Sequence, residues 1–264
     1  MRKFLILVSG LALIYFFSAT ASANLSDGLV AYYPLDGNFT DASGYGHDLT
    51  AEAGFTYSWV PGIFGQALDV APQNAHDSPH KAGVFYSGVG GWTIAAWIFL
   101  EQAAANRGYL IQQFTPSMTG HEPYRLAIWE SNEFLFHIED SSGTKVLVTY
   151  PIADYIGEWV QVIGVYTFQS SIELYINGEL KGMSSTTLIP ETLENADLYI
   201  AGSSWGNERG VILDDVRIYD RALSASEVVD LYSLSASVPE PATMLLLASG
   251  LTVLVGLRRK VNKA

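Results

Sequence analysis

From Leu29 to Tyr219 the chain is a series of short β-rich runs, each closed by turn residues. That pattern is the mark of a sandwich or barrel. The runs are Leu29–Tyr33, Trp92–Leu100, Tyr109–Phe114, Tyr124–Trp129, Glu133–Ile138, Lys145–Tyr150, Trp159–Thr167, Ser171–Asn177, Glu179–Gly182, Leu198–Gly202 and Val211–Tyr219. Trp92–Leu100 is apolar almost throughout, so it reads as a central strand buried on both faces. In the run from Ser171, Ile172, Leu174 and Ile176 alternate with Glu173 and Tyr175, and Asn177-Gly178 supplies a tight primed turn into the next run. One helix is expected near the end. Ser224-Ala-Ser-Glu227 is a capping box, followed by Val228, Val229, Leu231 and Tyr232.

The two ends of the chain have another character. Arg2 and Lys3 precede an apolar run from Phe4 to Phe17, and Ala21-Ser22-Ala23 gives an A-x-A pattern. This reads as a secretory signal peptide over residues 1–23, cut between Ala23 and Asn24. At the far end, Val238-Pro239-Glu240-Pro241 leads into an uncharged run over 242–257 and then a basic cluster, Arg258-Arg259-Lys260. The prolines end any regular element, the apolar run suits a membrane, and the basic cluster prefers the cytoplasmic side. As a helix the run would reach about 24 Å, short of a roughly 30 Å hydrocarbon core. These residues resemble a PEP-CTERM sorting tail over 238–264. The resemblance implies an exosortase-type transpeptidase as partner and transient anchoring in the inner membrane. It also implies delivery to the cell surface or extracellular matrix of a Gram-negative bacterium.

Between the ends lies one expected domain, 24–233, with a short polar spacer at 234–237. Six of the 14 basic residues and one of the 27 acids lie in the terminal segments, which leaves the domain 8 basic and 26 acidic residues, a net of −18. Such a surface repels nucleic acid and anionic lipid and attracts divalent cations. The chain has no cysteine, so neither disulfides nor thiol nucleophiles contribute.

Five stretches in order resemble LamG-like jelly-roll domains of the concanavalin A-like lectin/glucanase superfamily. They are Val30–Asn38 with Asp41–Gly44, Phe64–Leu68, Trp92–Ile98, Trp159 with Leu174–Glu179, and Leu213–Ser224. The resemblance implies an all-β fold: a two-sheet antiparallel jelly-roll sandwich with one short C-terminal helix. It also implies a structural Ca2+ where the first and last strands meet, with Asp41 and Asp214 as side-chain ligands and Asp36 and Asn38 as further candidates. The residues are compatible with that role. If Asp214 shares a face with Val216 and Ile218 it is buried, and a buried carboxylate needs a partner or a metal. The opening loop Asp36–Gly44 is rich in the hard oxygens that calcium takes. The alternative is that Asp41 caps a turn while Asp214 pairs with Arg209 or Arg217.

No catalytic constellation is legible. The E-x-D-x-x-E strand of the glucanase members is absent, as are G-x-S-x-G and H-E-x-x-H. His76 and His80 have i, i+4 spacing, but Pro79 makes that segment a loop. Trp205, in a turn from Gly202 to Gly210, and Trp59, beside Pro61-Gly62, are candidates for stacking on a sugar, whereas Trp92, Trp97 and Trp159 read as core. The expectation is a non-catalytic, exported binding or matrix module for carbohydrate or extracellular polymer. Two alternatives stand: an adhesion protein without a small ligand, and a glycan-active hydrolase with an unfamiliar site.

Overall fold

The computed structural model describes residues 24–51, 57–70, 80–82, 90–101, 107–114, 122–129, 132–192, 196–202 and 211–236. Their strands are β1 (Leu29–Tyr33), β2 (Ser58–Pro61), β3 (Gln66–Val70), β4 (His80–Ala82), β5 (Trp92–Phe99), β6 (Gly108–Phe114), β7 (Tyr124–Trp129), β8 (Glu133–Glu139), β9 (Lys145–Pro151), β10 (Trp159–Thr167), β11 (Ser171–Ile176), β12 (Glu179–Ser185), β13 (Asp197–Ile200) and β14 (Val211–Tyr219). A single helix, α1 (Ala225–Ala236), follows. The strands form two antiparallel sheets. The larger runs β12-β11-β10-β5-β14-β3-β2, with β1 also paired to β14, and the smaller runs β4-β13-β6-β7-β8-β9.

Alternation builds the core. Phe134, Phe136 and Ile138 of β8 point inward, as do Ile94 and Ile98 of β5, Val160 and Val162 of β10, and Leu174 and Ile176 of β11. Each large apolar side chain buried in this way stabilises the fold by about 1.5–3 kcal/mol. Trp92 joins the two sheets, with its ring 4.8 Å from Tyr124, 5.6 Å from Phe136 and 5.6 Å from Tyr166. The close approach needs Gly164 on β10: a Cβ there would stand 2.5 Å from Phe136 Cδ2.

Helix α1 covers the other face of the larger sheet. Val228 and Leu231 pack with Ala95, Ile163, Val165, Tyr175 and Tyr219, and Trp97 stacks on Tyr232 at 5.6 Å. Strand β5 is thus buried on both faces, as its composition requires. The expected capping box is present: Ser224 N donates to Glu227 Oε2 at 2.8 Å, and Glu227 N to Ser224 Oγ at 3.4 Å. Leu234 continues the apolar face against the same cluster, so the helix runs on to Ala236. Residues 234–236, expected as the start of a spacer, are its last turn. Asn177 and Gly178 have φ of 50° and 78°, the two positive values a type I′ turn needs.

Residues 1–23 and 237–264, which hold the expected signal peptide and sorting tail, lie outside the described residues. Among the described residues no helix is long and apolar enough to cross a membrane.

Candidate functional site

Strand β14 breaks its own alternation. Its register against β5 shifts between Asp214 and Arg217, and Asp215 has φ of 51°. This bulge puts Leu213 and Val216 both into the core. Asp214 therefore does not share a face with Val216 and Ile218 as the sequence suggested. It is nonetheless fully buried. Its Oδ2 accepts a hydrogen bond from Phe64 N at 2.9 Å, and its Oδ1 has no partner. Burial pushes this carboxyl up to about 7, helped by the Asp215 carboxylate and opposed by the Phe64 N–H. Arg217 pairs with Asp215 rather than Asp214, through Nε and Nη2 at 3.1 Å each, and lies 4.3 Å over the Tyr32 ring.

The opening loop is held by its own side chains. Asp41 Oδ1 accepts from Tyr32 N and Ser43 N, both at 2.9 Å, and Oδ2 accepts from His47 N at 2.9 Å and Ser43 Oγ at 2.8 Å. Burial works against ionisation of Asp41, but the N–H donors of Tyr32, His47 and Ser43 prevail and hold its carboxyl below the ordinary range. Asn38 Oδ1 accepts from Thr40 N. Asp36 Oδ1 accepts from Gln66 N at 2.6 Å. Asp36 and Asp214 therefore grip the same β2–β3 turn through different N–H groups, while Asp41 caps its own loop. These carboxylates are not gathered into one ligand group; the one such group of three among the described residues lies elsewhere. Backbone N–H groups engage Asp36, Asn38 and Asp41, and the Ser43 hydroxyl also engages Asp41, the arrangement of side chains that cap turns.

The face of the smaller sheet turned away from the core carries a polar network that sequence reading missed. Gln112, Arg125 and His137 stand side by side on β6, β7 and β8, and all are buried. Arg125 Nε donates to Gln112 Oε1 at 3.0 Å, and Gln112 Nε2 to Gly202 O at 3.1 Å. Arg125 Nη2 also holds Glu122 Oε1. Its guanidinium lies 4.7 Å over the Tyr109 ring and 5.7 Å from Trp129, with Arg107 4.6 Å over Trp129 from its own side. Next to it, Glu122 N donates to Glu139 Oε2 at 2.8 Å, and Lys145 Nζ approaches Glu139 Oε2 at 3.3 Å. Burial, reinforced by the Arg125 and Lys145 cations, lowers His137 to about 3, so the ring is neutral. A signal was available: in Glu133–Glu139 the polar Glu133, His137 and Glu139 share one face against Phe134, Phe136 and Ile138.

Of the tryptophans proposed for stacking, Trp59 is half-buried with its ring 5.3 Å from Phe39, packed onto the core. Trp205 lies outside the described residues.

Two face-packed antiparallel sheets with a covering helix define a jelly-roll sandwich of the lectin-like class. The sequence pattern of the Concanavalin A-like lectin/glucanases superfamily matches residues 75–229. The chain belongs to that superfamily. The PEP-CTERM protein-sorting motif matches residues 237–260. No curated protein sequence matches the chain. Solved structures with this fold include the binding domain of Paraclostridial Mosquitocidal Protein 1, with a TM-score of 0.68 and 18% identity over 81% of this chain and 54% of that one. The botulinum neurotoxin serotype G binding domain gives 0.63 and 17%, over 79% and 51%. The serotype D ligand-binding domain, solved in complex with N-acetylneuraminic acid, gives 0.61 and 15%, again over 79% and 51%. This chain spans about half the length of each.

Proposed function

We propose that the protein is an exported, non-catalytic binding module that takes an extracellular polysaccharide on the outer face of the six-stranded sheet, and that an exosortase-type transpeptidase sorts it. The observation that carries this reading is the partly exposed Trp129 at the end of β7, whose ring is held between the Arg107 and Arg125 guanidinium groups. Sugars are bound by oriented donors and acceptors next to aromatic surface, and side chains fixed beforehand lose little entropy on binding. The sorting motif supports a site outside the cytoplasm, in keeping with the signal peptide expected over residues 1–23. The sugar complex of one structural relative and the fact that the others are binding domains agree with this reading.

Binding to a panel of immobilised glycans and bacterial polysaccharides tests it. The wild type retains at least one polysaccharide, and Trp129→Ala weakens retention about tenfold without loss of fold. A protein that coats cells or self-associates yet retains no glycan fits the adhesion reading instead.

A further inference from the structure

One end of the same face brings together three side chains suited to a different ligand. Glu122, His137 and Glu139 are all buried, and one potential ligand atom from each lies within 4.8 Å of the others. Strand register enforces the meeting. His137 stands opposite Arg125, and Glu139 N bonds Pro123 O at 3.0 Å while Glu122 N returns to Glu139 Oε2.

Acids close together are common without a metal. The histidine is the independent observation. His137 is 4% exposed, and its Nε2 has no hydrogen-bond partner. A buried, unpaired ring nitrogen is a desolvated polar group with nothing to offset it. That nitrogen is 3.7 Å from Glu122 Oε2. Two ligand atoms about 2.1 Å from a tetrahedral ion lie roughly 3.4 Å apart, so the gap is already close to that of a shared ion.

A cation already stands between the two acids. Lys145 Nζ is 3.6 Å from Glu122 Oε2 and 3.3 Å from Glu139 Oε2. Its side chain is 38% exposed, so it can swing into solvent with little loss. Arg125 is buried and stays on Glu122 Oε1, which leaves Oε2 turned toward the histidine.

We infer that Glu122, His137 Nε2 and Glu139 form a site for a divalent transition-metal ion of the zinc class, filled in exchange for the Lys145 ammonium. One imidazole and two carboxylates suit zinc-like ions, whereas calcium takes oxygen alone. Water completes the coordination. The ion joins the segment before β7 to the end of β8 and stiffens that part of the sheet.

The test is calorimetric titration of the full-length protein, freed of metal by chelation, with Zn2+ and separately with Ca2+. Zinc binds, and calcium does not displace it. His137→Gln weakens zinc binding at least tenfold. Lys145→Met removes the competing cation and tightens binding several-fold. Zinc binding that is unchanged in His137→Gln overturns the inference, and so does a Lys145→Met variant that binds no tighter. Should His137→Gln fail to fold, Lys145→Met decides alone, because it keeps all three ligands. The readout is the metal itself, so failure to bind a polysaccharide leaves it untouched.

Discussion

Asp214 is a carboxyl group kept where ionisation is unfavourable, with one oxygen on Phe64 N and the other unpartnered. Its acidity in the folded state falls near pH 7, above the ordinary carboxylate value, so the folded protein holds the proton more tightly than the unfolded chain does. The stabilisation is complete below about pH 4 and is lost as pH rises through about 7. Asp214→Asn has no proton to lose. Its melting temperature relative to wild type rises between pH 4.5 and pH 8, by an amount equivalent to at most about 4 kcal/mol. Parallel melting curves across that range would show that Asp214 is ionised throughout. The neighbouring acids lead to a second prediction. Both oxygens of Asp41 already accept N–H or O–H donors, and Asp36 does the same for Gln66 N. Calcium therefore moves the melting temperature by less than about a degree, as differential scanning fluorimetry with calcium and then chelator will show. The sequence made Asp214 visible as a buried acid needing a partner. It could not show which partner, because the bulge at Asp215 sets which way Asp214 points, and a bulge depends on the strands alongside.

At the level of elements, the central strands were legible because their side chains alternate against one large core. Strands β7 and β10 begin and end where their apolar runs do. Strands β2, β3 and β4 escaped notice as strands: they are four, five and three residues long, too short to show a period. The network on the smaller sheet escaped for a different reason. Glu122 precedes β7 while His137 and Glu139 are on β8, and only hairpin register unites them. Position 164 shows how closely the sheets depend on each other. The Phe136 ring lies over the flat face of Gly164, and Ile94 and Leu174 flank that glycine on the neighbouring strands. Gly164→Ala inserts a methyl group with nowhere to go. It destabilises the protein by about 1–3 kcal/mol, read as a lower urea midpoint, with an unchanged slope if only packing is lost.

For the whole molecule, charge and destination belong together. Five of the domain's cations, Arg125, Lys145, Lys181, Arg217 and Arg221, are each engaged by an acid. The surplus acids therefore set the external field, which keeps the domain soluble and away from anionic lipid. Such a surface gains no attraction from anionic lipid. The sorting motif matches residues 237–260, beyond that domain. Within those residues Pro239 and Pro241 carry no N–H to donate to a helix. Replacing both prolines with alanine restores those donors and removes the fixed backbone of the motif. In cells, the variant accumulates as unprocessed precursor with the membrane fraction, while the domain itself melts as wild type does. Fractionation with an antibody against the domain checks this. Normal processing and surface delivery of the double variant would overturn the sorting role proposed for the motif.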